Sequence, residues 1–166
     1  DPLGAIWPGN KSATLINFRR IDEGEIALRR ATEINGNTDR FRSGMADIHI
    51  LRGEYEEALE ALSLLPDDRY NLTRRAIALY GAGQVEAADE LLAAIEQMGT
   101  PDAILGLAEA HAMRGNNDLA FDYLEQISDE IFPPLMVYNA YTRALVDDPR
   151  WKPWVDSLVW FWDYEY

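Results

Sequence analysis

Along most of the chain, apolar residues return at i, i+3, i+4 and i+7, the spacing of one face of a helix. Tyr55, Ala58, Leu59, Leu62 and Leu65 form such a stripe, with Glu54, Glu56, Glu57 and Glu60 mainly off it. The acids near its start suit the positive end of the helix dipole. The pattern predicts helices near 10–19, 22–35, 38–52, 55–65, 68–81, 84–98, 101–114, 117–130, 134–146 and 150–160, and no strand. Proline and capping residues mark the breaks. Pro66-Asp67-Asp68 stops one helix, Thr100-Pro101-Asp102 starts another, and Pro133-Pro134 interrupts the chain before the last pair.

One phrase recurs: a helix, a glycine or polar turn, then a second helix with a small residue near its start. Its turn positions, Arg19, Gly53, Gly83 and Gly115, lie 34, 30 and 32 residues apart. A period in the low thirties means two antiparallel helices per unit. Ala46, Ala76 and Ala108 on the first helices, and Ala58, Ala88 and Ala120 on the second, fall where helices cross closely and larger side chains would push the axes apart.

These residues resemble the tetratricopeptide repeat family. The family phrase is matched by Met45-Ala46, His49, Gly53, Tyr55, Ala58, Leu62 and Leu65, and by Leu72, Ala76, Leu79, Gly83, Val85, Ala88, Leu92 and Ile95. Ile104, Leu107-Ala108, His111, Gly115, Ala120, Leu124 and Ile127 match it again. The resemblance covers about residues 1–132, nearly four repeats. It departs in the first, where Arg19 stands for the turn glycine and Gly24 for the second-helix alanine, and in the second, where Pro66 ends the helix early. It implies an all-α, right-handed superhelix of antiparallel helix pairs, with residues 133–166 as capping helices and an aromatic tail.

The resemblance further implies a concave groove lined by the first helices: Arg40, Ser43, Asp47 and Ile50; Tyr70, Thr73, Ile77 and Tyr80; Asp102, Leu105, Glu109 and Met113; then Met136, Asn139 and Arg143. Tyr, Met, Ile and Leu there supply apolar pockets, while Arg40, Asp47, Glu109 and Arg143 set register. The family's carboxylate clamp, built from Lys and Asn, is missing: its sites hold Gly9 and Ala13, Ser43 and Asp47, Thr73 and Ile77, Leu105 and Glu109. Asp1-Pro2-Leu3 and the run from Leu145 through Asp147-Asp148-Pro149-Arg150-Trp151 to Val155 resemble the C-terminal repeat segments of bacterial adenylate/guanylate cyclases and winged-helix transcriptional regulators. That resemblance implies an N-terminal output domain ahead of the repeats, and the opening on Asp1-Pro2 rather than Met reads as a fragment of a longer protein.

Charge narrows the partners. The 166 residues carry a formal net charge of −14 and no cysteine, and the acid is regional: residues 1–52 hold 8 basic and 7 acidic groups, residues 53–166 hold 7 and 22. Such a field argues against nucleic acid and anionic lipid and favours a basic or amphipathic protein segment. No apolar run approaches the ~20 residues of a membrane-spanning helix. Cytoplasm and periplasm both stay open.

Catalytic chemistry finds little support. His49 and His111 occupy one repeat position, where the family packs a tyrosine, and the adjacent carboxylate pairs Glu56-Glu57, Asp89-Glu90, Asp129-Glu130 and Asp147-Asp148 read as solvated surface. No calcium-loop, dinucleotide, phosphate-loop or nucleophile-elbow motif occurs. No enzyme activity, cofactor or metal is expected.

Four of the five tryptophans lie in the last 16 residues. Trp151, Trp154, Val155 and Leu158 have the spacing of a helix that seals the end of an array, whereas Trp160, Phe161, Trp162, Tyr164 and Tyr166 share no single apolar face. The leading expectation is a non-catalytic interaction or sensory module of a bacterial signalling protein that binds a peptide or partner domain in its groove. The alternative is a homodimer joined through residues 160–166.

Overall fold

The computed structural model describes residues 2–36, 38–127 and 139–157. They form α1 (Pro2–Asn17), α2 (Ile21–Asn35), α3 (Thr38–Arg52), α4 (Tyr55–Ser63), α5 (Arg69–Gly81), α6 (Val85–Gln97), α7 (Pro101–Met113), α8 (Asn117–Leu124), a 3₁₀ turn (Thr142–Leu145) and α9 (Trp151–Ser157), with no strand among them. Consecutive helices pack as hairpins, α1 on α2, α3 on α4, α5 on α6 and α7 on α8. The first helices also touch in order, α1 to α3 to α5 to α7, so they stand side by side as one layer. This is the arrangement of a tetratricopeptide-like helical repeat.

The hairpin turns share one geometry. Arg19, Gly53, Gly83 and Gly115 have φ of 56°, 78°, 79° and 74°. At each, the next amide reaches back five residues, Arg20 N to Leu15 O at 2.9 Å, Glu54 N to His49 O at 2.9 Å, Gln84 N to Leu79 O at 2.8 Å and Asn116 N to His111 O at 2.9 Å. The turn amide itself bonds to Ile16, Ile50, Tyr80 or Ala112. Together these bonds satisfy carbonyls that the helix end leaves open. Arg19 adopts the left-handed conformation that glycine takes elsewhere, so the departure in repeat one changes the residue and not the turn.

The crossings are as close as the small residues predict: Ala46, Ala58, Ala76, Ala88, Ala108 and Ala120 are all 0% exposed. At Gly24 a Cβ would run into Ile16, and at Gly106 into the Thr73 hydroxyl, so these glycines are required by contact. Asp68 caps α5 by accepting from Asn71 N at 2.9 Å, and Thr100 caps α7 with Pro101 just inside.

Three boundaries differ from the pattern. α1 begins at Pro2 rather than near residue 10: the helix runs through Pro8, which forgoes the hydrogen bond that its missing N–H cannot make. α8 ends at Leu124. Over residues 139–146 the predicted helix is replaced by a turn and the 3₁₀ segment. There Asn139 Oδ1 accepts from Tyr141 N at 2.9 Å and Thr142 N at 3.2 Å, while Thr142 Oγ1 accepts from Asn139 N at 3.0 Å. These local bonds compete with helical ones. Beyond the turn, Trp151, Trp154 and Val155 pack on Leu105, Ala108 and Phe121, covering the α7–α8 hairpin; Leu158 lies outside the described residues.

A Cβ at Gly83 meets nothing within 4 Å, so Gly83→Ala isolates the backbone cost of the turn. That cost is about 1–2 kcal/mol. Urea unfolding is expected to show the midpoint lowered accordingly with m unchanged, whereas Gly83→Asn loses less.

Candidate interaction groove

The layer of first helices presents Arg40 and Asp47 from α3, Tyr70 and Arg74 from α5, and Leu105 and Glu109 from α7. At its centre Asp47 and Arg74 form a two-pronged ion pair, Nε to Oδ1 at 2.5 Å and Nη2 to Oδ2 at 2.9 Å. Their side chains are 17% and 18% exposed. Burial works against the Arg74 charge, but the Asp47 carboxylate outweighs it and holds the guanidinium above its ordinary pKa.

The groove contains part of its own chain. Tyr141 donates its hydroxyl to Asp47 Oδ1 at 2.5 Å, across 94 residues, and its ring joins a buried cluster with Ile50, Ile77 and Leu107, against which Met113 also packs. Arg19 donates to Ala140 O from Nε at 3.3 Å and Nη2 at 3.1 Å. Asn139 Nδ2 donates to Glu109 Oε1 at 2.6 Å. Beside the inserted residues remains a cavity of about 230 Å³, walled by Ile16, Asn17, Asp47, Tyr70, Arg74, Leu105, Glu109 and residues 139–141. A second, of about 420 Å³, lies toward the turns between Arg19, Ile50, Arg52, Tyr55 and Met113.

The residues expected in the groove divide by placement. Asp47, Tyr70, Leu105, Glu109 and Asn139 share the smaller cavity. Arg40 is exposed, donates to Asn10 Oδ1 at 3.3 Å, and with Tyr70 and Arg74 lines a shallower depression next to it. Met113 borders the second cavity. Thr73, Ile77 and Leu105, at 3%, 3% and 4% exposed, are buried where they were expected to stand open: Thr73 packs against Gly106, and Ile77 lies in the cluster that receives the Tyr141 ring. Tyr80 lies under the Arg114 guanidinium, 4.5 Å from its ring centre, and Arg143 lies 5.6 Å from the Phe18 ring. Asn139 and Arg143 belong to the inserted turn, not to a further lining helix. Met136 and the tail residues Trp160, Phe161, Trp162, Tyr164 and Tyr166 lie outside the described residues.

Arg74, Tyr141 and Arg19 were not legible as groove residues. Asp47 and Arg74 are 27 residues apart in an array whose period is near thirty. Arg52 with Asp22, at 30, and Arg114 with Asp89, at 25, follow the same rule. Opposite charges one unit apart are therefore the signal that was available.

Charge is also distributed by face. Glu56, Glu57, Glu60, Glu86, Asp89, Glu90, Asp118, Asp122 and Glu125, on or just after α4, α6 and α8, are exposed. The groove instead pairs Arg74 with Asp47, sets Arg19 on the Ala140 carbonyl and has Arg40 beside Tyr70 and Arg74.

The histidines have packing environments. His49 Nδ1 lies 2.6 Å from Glu54 Oε2. His111 stacks on Tyr123 with ring centres 5.7 Å apart, and burial, then the nearby Arg114 charge, pushes its pKa down. Among the described residues no group of three His, Asp or Glu could hold a metal ion, and no helix is long and apolar enough to cross a membrane.

An array of helical hairpins with a lined inner face defines a class of binding scaffold. Residues 102–133, which begin within α7 and include α8, match the model of the tetratricopeptide repeat family. No curated protein and no solved structure matches the chain. The repeat match points to a protein–protein interaction module with protein partners, and no catalytic family is matched.

Two outcomes test the groove's interior. Arg74→Met leaves the Asp47 carboxylate in a poorly hydrated site and is expected to cost about 3 kcal/mol in denaturant unfolding, part of it recovered when Asp47→Leu is added, since the Tyr141 hydroxyl then loses its acceptor. Burial, reinforced by the Asp47 carboxylate, pushes the Tyr141 phenol well above its ordinary 10.0. Above pH 10.0 the folded chain thus retains a proton that the unfolded chain has lost. The resulting stability is complete below that pH and falls as pH rises. Tyr141→Phe is expected to flatten part of the alkaline decline in Tm.

Proposed function

We propose that this chain is a non-catalytic interaction module of a bacterial signalling or regulatory protein, and that it binds a segment of a partner protein along the inner face of α3, α5 and α7. The observation that carries this reading is the cavity between Asp47, Tyr70, Arg74, Leu105 and Glu109, which combines apolar walls with fixed polar groups on three successive hairpins. Binding sites of this kind fix a ligand's register with few polar groups and take affinity from apolar contact. Tyr70, 46% exposed at the rim, is the natural apolar anchor. A basic or amphipathic partner fits the acidic field of the second helices, which steers approach; at the contact itself Asp47 is already matched by Arg74. The signalling context rests on the resemblance of the chain's ends to cyclase and regulator segments. Joining two chains through residues 160–166 is the competing reading, carried by the tryptophan-rich sequence there.

The test is a selection of displayed dodecamer peptides on the whole chain, followed by titration against variants. Tyr70→Ala and Glu109→Lys are each expected to weaken selected peptides at least tenfold, while Glu90→Lys on α6 changes binding less than twofold. Peptides that ignore both groove variants and respond to Glu90→Lys would move the site off the inner face. Light scattering with and without residues 160–166 addresses the competing reading, which requires a dimer that truncation converts to a monomer.

A further inference from the structure

The chain itself shows what the groove accepts. Residues 139–141 lie in it as a bend and turn that lead into the 3₁₀ segment, and three interactions hold them: Arg19 to the Ala140 carbonyl, Asn139 to Glu109, and the Tyr141 hydroxyl to Asp47. All three donors or acceptors on the repeat side come from different hairpins, so the contacts span repeats one, two and four. The Tyr141 ring is 7% exposed and fills an apolar slot that includes Ile50 and Ile77. Ion-paired Asp47 is a fixed acceptor at the bottom of that slot, because Arg74 orients both of its oxygens.

The next residues are fastened differently. Leu145 is 0% and Trp151 5% exposed, and both are packed on the α7–α8 hairpin with Phe121 and Leu124. Their anchorage is apolar and lies outside the groove. Residues 139–141 are thus a short arm, held by these polar contacts and by the seated Tyr141 ring, and the residues that follow it are anchored separately on the α7–α8 hairpin.

We propose that Asn139–Tyr141 is a built-in occupant of the interaction groove, and that the external partner is a protein segment of the same chemistry, which binds by replacing it. That segment carries a tyrosine in a turn, preceded by a small residue whose carbonyl faces Arg19. The proposal rests on the groove reading above and adds the partner's recognition element and its internal competitor. A tethered arm acts at an effective concentration in the millimolar range. A matching external segment therefore binds the intact chain weakly and gains affinity when the arm's contacts are removed.

The probe is a fluorescein-labelled peptide with the sequence of residues 137–143, titrated by anisotropy into the whole chain. Asn139→Ala combined with Tyr141→Ala, shown to be folded by circular dichroism and a cooperative melt, is expected to bind it at least tenfold more tightly than the unaltered chain. Adding Asp47→Asn to that variant is expected to reverse the gain, and replacing the peptide's second tyrosine by phenylalanine to weaken it several-fold. A folded double variant with no gain in affinity would overturn the proposal. Should the double variant not fold, hydrogen exchange on the unaltered chain decides: millimolar peptide is expected to lower amide protection at residues 140–142, and unchanged protection would overturn it. Selected peptides that remain sensitive to Tyr70→Ala while the arm variants alter nothing would leave the groove reading standing and remove this one. Insensitivity to Tyr70→Ala would instead remove the groove reading.

Discussion

The architecture depends on a backbone constraint repeated four times: one residue in the left-handed region ends each first helix and reverses the chain. At Arg19, Gly53, Gly83 and Gly115 the same pair of backbone hydrogen bonds closes the turn. Every hairpin therefore leaves its turn with similar geometry, and alanines at the crossings bring successive helices close enough to stack. Because each first helix meets the next, their exposed edges merge into one inner face. The groove is a consequence of turn geometry and small residues rather than of any special loop.

On that face the polar residues do two jobs. Asp47 and Arg74 tie α3 to α5, taking the place of apolar packing at a point where the layer must stay open. Oriented in this way, Asp47 also receives Tyr141, and with Arg19 and Glu109 it fixes the returning chain against three hairpins. A charge pair that is partly desolvated gains little net stability by itself but strongly penalises the loss of one member. It thereby selects one register for whatever occupies the groove.

Much of this was legible in the residues, and the failures share a cause. The 3.6 periodicity, the turn spacing and the crossing alanines placed α2–α7 to within a residue or two at most ends. Local rules also found the Thr100 cap and the Trp151–Val155 seal. They failed where side chains compete with helical hydrogen bonds, as Asn139 and Thr142 do, so a turn was read as a helix. They failed again where tertiary contact decides exposure: Thr73 and Ile77 hold positions that face the groove in the family pattern, yet here Thr73 packs against Gly106 and Ile77 lies in one buried cluster with Tyr141. Arg74 acts through a partner 27 residues away, a separation that the repeat period carries and the helical period does not, and Tyr141 through one 94 residues away, which neither encodes.

The chain returns into its own groove through the contact between Tyr141 and Asp47. A double-mutant cycle with Tyr141→Phe and Asp47→Asn, read by equilibrium unfolding, measures that contact directly. The structure predicts a coupling free energy of about 1–2 kcal/mol, as for a hydrogen bond to a charged, partly buried acceptor. Additive effects, with coupling indistinguishable from zero, would contradict the seating of residues 139–141 and with it the account of the groove.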